Sequence, residues 1–220
     1  MSIANNLNDI KSSLPPHVTL VAVSKTKPVA DLKEAYEAGQ RIFGENKIQE
    51  MTEKWEQMPR DIQWHMIGHV QTNKVKYMAP YVSLIHGVDS LKLLTEINRQ
   101  AKRYRKVINC LLQIHIAEEE TKFGLSEDEL NALLASDEFK QMENICITGL
   151  MGMATFTDNE AQIKKEFAHL KTIFNHLGEQ PQTTNFKPET LSMGMSGDYK
   201  LAIDCGSTMV RIGSSIFGSR

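Results

Sequence analysis

Apolar positions along this chain alternate between two periods. Ile3, Leu7, Ile10 and Leu14 have helical spacing, and Pro15-Pro16 stops that pattern. Residues 18–24 form a short apolar run that reads as a strand. Leu32, Ala35 and Tyr36 then share one helical face over 30–38, ended by Gly39. The alternation continues, with strands predicted over 41–46, 62–68, 82–88, 107–116, 145–153, 190–195 and 209–213. The segments between them read as helices. One carries Ile48, Met51 and Trp55 and is broken by Pro59; a polar one covers 72–78. The next starts at a Ser90 cap and runs through Leu93, Leu94 and Ile97 to Arg105. Another spans 126–139, where Ser126 and Glu129 have capping-box form. Helices over 159–177 and 198–204 complete the series, and 178–189 reads as a polar loop.

Strand and helix patterns in strict alternation imply a parallel sheet with right-handed crossovers. Eight such units without a low-complexity linker favour an α/β fold of one kind: a single (β/α)8 TIM barrel, with residues 1–220 as one domain. The first strand–helix connection lacks the G-x-G-x-x-G pattern, which argues against an open dinucleotide-binding sheet.

Composition narrows the function classes. A net charge of −2 gives no electrostatic case for nucleic acid or an anionic membrane. No apolar run approaches the roughly 18–20 residues that span a bilayer, and residues 1–9 lack the basic-then-apolar order of a signal peptide. A cytoplasmic location is therefore expected. Cys110, Cys146 and Cys205 are odd in number, far apart and set in apolar segments, which predicts buried reduced thiols and no zinc site.

The run Val21-Ala22-Val23-Ser24-Lys25-Thr26-Lys27-Pro28 places a lysine where an apolar strand ends, with Pro28 expected to stop the strand. A lysine there suits Schiff-base chemistry, because desolvation lowers an amine's basicity readily. The segments 192–198 and 211–218 combine serine hydroxyls with glycines at the predicted ends of strands seven and eight. That is where many such barrels hold a phosphate. Each segment alone also fits a plain turn. A Schiff-base lysine together with a phosphate cup suggests pyridoxal 5'-phosphate (PLP). Arg211 would then face the pyridine nitrogen and keep it unprotonated, making the ring a weak electron sink. A buried structural ion pair is the alternative role for Arg211.

Several motifs carry a resemblance. They are Val23-Ser24-Lys25-Thr26-Lys27-Pro28, Phe43-Gly44-Glu45-Asn46, Trp64-His65-Met66-Ile67-Gly68 with Gln71-Thr72-Asn73-Lys74, Gly149-Leu150-Met151, Leu191 to Asp198, and Arg211-Ile212-Gly213 with Ile216-Phe217-Gly218. In order, and over nearly the whole chain, they resemble the pyridoxal phosphate homeostasis proteins, single-domain relatives of the alanine racemase N-terminal barrel. The resemblance implies Lys25 as the Schiff-base lysine and Arg211 as the arginine facing the pyridine nitrogen. It implies Ser196, Gly213 and Ser214 as the phosphate cup and Asn46 as a neighbour of the cofactor ring. Lys47 and His69 depart from the family pattern, the first at a position expected to shape the pocket rim.

The remaining polar groups have ordinary roles. His65 and His86 read as hydrogen-bonded core histidines or, alternatively, as acid–base groups. Lys27 and Lys74 read either as solvated or as attracting an anion. The run Glu118-Glu119-Glu120 before Lys122 reads as a loop at the barrel mouth without a metal. Core filling accounts for most methionines, including Met151, Met153, Met193 and Met195. Racemisation on this scaffold uses a second base from a separate domain, and no such domain is expected here. The expectation is therefore a non-catalytic PLP carrier, a monomer that serves PLP-dependent apoenzymes as recipients and affects amino-acid and keto-acid pools indirectly. A weak racemase-like enzyme using Lys25 and His65 is the alternative. A lysine aldolase acting on a phosphosugar is disfavoured, because it leaves Arg211 without a role.

Overall fold

Eight parallel strands close into a barrel in the computed structural model, which describes residues 2–119 and 123–218. The strands are β1 (Thr19–Val23), β2 (Ile42–Glu45), β3 (Gln63–Met66), β4 (Val82–Val88), β5 (Ile108–Gln113), β6 (Ile145–Met151), β7 (Phe186–Met195) and β8 (Met209–Ile212). They pair in chain order, and β8 returns to β1 with Val21 opposite Arg211. Helix α1 (Ile3–Ser13) precedes the barrel. The crossovers carry α2 (Val29–Glu37), α3 (Ile48–Gln57), α4 (Val75–Met78), α5 (Leu91–Arg103), α6 (Glu127–Ala135), α7 (Asp137–Lys140), α8 (Glu160–Gly178) and α9 (Tyr199–Asp204), and α10 (Ser214–Phe217) follows β8.

The strand period of two divides the apolar residues between two cores. The larger lies between barrel and helices and includes Phe43, Trp64, Leu94, Phe167 and Ile212. The smaller fills the barrel interior with Val21, Leu84, Leu111, Met151 and Met209. Above that inner layer the interior is polar: His65, His86, Gln113, Ser192 and Arg211 are all buried. Cys110 and Cys146 are buried and Cys205 is half-buried; all three are free thiols.

Some boundaries differ from the pattern in the sequence. Strand β7 begins at Phe186, four residues earlier than expected, so 178–189 is not all loop. The early part alternates buried Phe186 and Pro188 with exposed Lys187 and Glu189. Pro188 masks the strand because it has no N–H for the ladder; the register shift between Ile147 and Gly149 accommodates it. The helix expected over 126–139 breaks at Ser136, which ends α6 and caps α7 through its hydroxyl. Strand β1 ends at Val23, not at Pro28, and Pro28 is the N-cap of α2. Glu118 and Glu119 lie in the loop after β5, while Glu120 and Lys122 fall outside the described residues. No helix among the described residues is long and apolar enough to cross a membrane.

Strands β6 and β7 approach so closely that Gly149 has no alternative. Its φ is +152°, and an added Cβ would lie 1.8 Å from the Thr190 carbonyl oxygen. Gly149→Ala is expected to destabilise the protein by about 2 kcal/mol or more, read as a lower urea midpoint. An unchanged midpoint would show that the two strands can separate at no cost.

Candidate functional site

A cleft of about 400 Å³ opens at the carboxyl ends of the strands. Lys25, Asn46, Ser196, Arg211, Gly213 and Ser214 all line it. They follow or end β1, β2, β7 and β8, which are consecutive neighbours in the closed sheet. The six residues are scattered over nearly the whole chain, and closure alone assembles them.

Lys25 sits just past β1, between two restrained neighbours. Ser24 is buried, and its hydroxyl donates to Glu45 Oε1 at 2.6 Å. Thr26 has φ +65°, an uncommon conformation for a β-branched residue that costs on the order of 1–3 kcal/mol. Its N–H donates to Glu50 Oε1 at 2.6 Å. Lys54 joins the two sides: its Nζ donates to the Ser24 carbonyl at 2.7 Å, to Glu45 Oε1 at 2.8 Å and to Glu50 Oε1 at 2.7 Å. Burial pushes the Glu45 carboxyl up from its ordinary range, against the opposing pull of Lys54.

Arg211 is buried in the barrel interior and also reaches the cleft. Its guanidinium donates to the Ser192 carbonyl at 2.9 Å, the Ser192 hydroxyl at 2.6 Å and the Gly152 carbonyl at 3.1 Å. These three acceptors are neutral, and the negative charge of Asp198 also acts on the guanidinium. Burial lowers its pKa to about 10, which still leaves it cationic at neutral pH. The hydrogen-bond chain continues inward. Ser192 Oγ lies 3.0 Å from His86 Nδ1, and His86 Nε2 lies 3.0 Å from His65 Nδ1. Desolvation holds both rings neutral, His65 with a pKa of about 3 and His86 well below its ordinary value. The core reading of these histidines therefore holds, and His65 does not line the cleft.

At the cup, Ser196 Oγ accepts the Gly213 N–H at 3.2 Å, tying the loop after β7 to the one after β8. The first-turn N–H groups of α10 begin at Ser214, where no preceding turn supplies carbonyls. Lys27 lines the same cleft, and its Nζ donates to the Phe217 carbonyl at 3.0 Å. Met153, Phe156 and Met195 complete the apolar rim, with Phe156 94% exposed. Met151 and Met193 fill core, as expected.

Lys47, His69 and Lys74 line a neighbouring cleft of about 620 Å³ that shares Asn46 as a wall. The departure at Lys47 thus shapes that second cleft and not the one holding Lys25. A further cleft of about 380 Å³ is lined by Lys11, Pro15, Gln40 and Arg41, at the amino ends of β1 and β2. No cluster among the described residues could hold a metal ion. Glu50 and Lys54 lie outside every motif in the sequence, Glu45 has no role there, and Ser192, within the 192–198 segment expected to hold a phosphate, instead anchors Arg211. Lys54 falls on a helix among charged residues, and nothing in the pattern marks it as buried. Gly-Glu-Asn at the end of a strand was the one available signal for Glu45.

A parallel barrel with a lysine, a buried arginine and a serine–glycine cup at its carboxyl end defines a class of phosphate-cofactor barrels. The alanine racemase N-terminal domain family matches residues 1–220, and the chain belongs to it, among the pyridoxal phosphate homeostasis proteins. The homeostasis protein of Pasteurella multocida is 40% identical over 206 residues, covering 92% of this chain and 87% of the relative. The structure of PipY from Synechococcus elongatus without PLP superposes with a TM-score of 0.92 at 36% identity, covering 99% of this chain and 100% of PipY. PipY with PLP bound gives 0.89 at 35% identity over the same shares of each chain. Alanine racemase from Clostridium difficile shares the fold alone: TM-score 0.79, 16% identity, with all of this chain covering 57% of that one.

The neutral histidines set an expected pH dependence. Unfolding exposes His65 and returns its pKa from about 3 toward 6.5, so the unfolded chain binds more protons between those values. This stability contribution is complete above the unfolded value and declines as pH falls below it. The urea midpoint is expected to drop between about pH 7 and 5.5, and less steeply in His65→Gln. An equal slope in that variant would assign the acid sensitivity to other groups.

Proposed function

We propose that this chain binds PLP as a Schiff base on Lys25 and serves PLP homeostasis without catalysing turnover of its own. One observation carries the reading. A single cleft gathers a primary amine, a buried guanidinium held by neutral acceptors, and a hydroxyl–amide cup on a neighbouring strand pair. When bound, PLP would supply an aldehyde for the amine, a pyridine nitrogen for the guanidinium and a phosphate for the cup. Ser196 and Ser214 bind the phosphate with the backbone of Gly213, and Asn46 flanks the ring. Arg211, locked by Ser192 and Gly152, is presented as a donor to the ring nitrogen. The names of the relatives and PipY's bound PLP support the same assignment.

The non-catalytic part rests on proton inventory. Racemisation needs bases on both faces of the ring. Among the described lining residues, the amines are those of Lys25 and Lys27, and no tyrosine, histidine or carboxylate joins them. The exposed rim also leaves the site wet, which weakens the electrostatic control that catalysis requires. The chain is read as a cytoplasmic monomer that releases PLP to PLP-dependent apoenzymes and so changes amino-acid and keto-acid pools indirectly.

The test is the absorbance of the purified protein with added PLP, alongside Lys25→Ala. A band at about 420 nm in the wild type, absent from the variant, is expected, together with no racemase or transaminase turnover. Turnover at ordinary enzymatic rates that depends on Lys25 would replace the carrier with an enzyme. A wild type without the band would overturn the PLP reading and favour phosphosugar chemistry.

A further inference from the structure

The residues on either side of Lys25 are both tied to one charge cluster that no reading of the cleft itself requires. Ser24, Glu45 and Lys54 in that cluster are buried. An ammonium has three protons to donate, and Lys54 has three acceptors: the Ser24 carbonyl, Glu45 and Glu50. Glu50 in turn takes the N–H of Thr26, the residue with φ +65°. The connections therefore run from the peptide group before Lys25, through one ammonium, to the peptide group after it. Glu45 Oε2 has no hydrogen-bond partner among the described residues, so the cluster is not optimised for stability alone. Ion clusters of this kind are commonly no more stable than apolar packing of equal volume. What this one does supply is a fixed backbone on both sides of a single side chain.

Resting on the PLP reading above, we propose that Lys54 and Glu50 are positioning residues for Lys25. They hold Thr26 in its left-handed conformation, and that conformation aims the Lys25 amine into the cleft. Neither residue touches the cofactor. Their effect is on attachment, in which Lys25 Nζ adds to the aldehyde carbon, water leaves and a C=N bond remains. An amine kept in one orientation reaches that carbon more often than one on a relaxed loop. Non-covalent binding through the cup does not depend on them.

Glu50 is the position to test, because its side chain is 24% exposed, whereas those of Lys54 and Glu45 are 6% and 0% exposed. Glu50→Ala removes the acceptor for Thr26; Glu50→Gln keeps an acceptor oxygen. PLP is mixed with cofactor-free protein, and the rate of appearance of the visible band is followed as PLP is raised to saturation. The limiting rate of Glu50→Ala is expected to fall by roughly tenfold or more, with the final amplitude and inhibition by inorganic phosphate unchanged. Glu50→Gln is expected to recover most of the rate. In the cofactor-free protein, hydrogen–deuterium exchange over residues 24–27 is expected to speed up in Glu50→Ala only. A wild-type limiting rate in Glu50→Ala overturns the proposal, and so does a loss confined to amplitude, which would report damaged protein and not a misaimed amine. If the wild type itself attaches no PLP, the PLP reading fails. The exchange measurement then still decides whether Glu50 holds this segment.

Discussion

Closure of the sheet is the constraint on which the rest depends. A parallel strand pair needs a crossover, and successive crossovers carry the chain once around before β8 meets β1. That last pairing sets Val21 opposite Arg211 and brings the loops that begin at Ser24 and Gly213 to one side of the molecule. All strand ends of one polarity share one face, so every loop with cofactor-type chemistry opens into the same space. An open sheet of the same strands would leave Lys25 and Arg211 on opposite edges.

Within that frame the barrel interior is divided by polarity. The lower layer is apolar and packs as a core. The upper layer holds a hydrogen-bonded series from Arg211 through Ser192 and His86 to His65. Burying these groups is tolerable because each finds a partner, and burial itself keeps both imidazoles neutral. The one cation in the series is thereby surrounded by neutral acceptors and remains available to the cleft above it. A second polar assembly, around Lys54, lies outside the barrel wall against α3 and acts on the backbone beside Lys25. The two assemblies bracket the cleft from inside and outside the sheet.

The family likeness and the fold agree with this division of labour. PipY, at 36% identity without PLP and 35% with it, matches this barrel closely in both forms. The alanine racemases keep the fold at much lower identity and extend well beyond the part this chain covers. A shared barrel supplies a place for the cofactor, while the groups around that place set its chemistry.

The order and type of the main elements were legible in the sequence because helix and strand periods are local properties of the chain. So was most of the cleft: lysine after an apolar strand and serine–glycine turns at strand ends are local signals, Arg211 follows from the cofactor they suggest, and Asn46 rests on the family likeness alone. Strand β7's early start and the break at Ser136 were obscured by Pro188 and by a serine that serves two helices. The Lys54 cluster, Ser192's link to Arg211 and the neutrality of the histidines were settled only in three dimensions. Each depends on burial and on partners 4 to 106 residues apart. Sequence periodicity fixes which side of an element a residue occupies, but only packing removes water from a charge and decides which protein groups replace it.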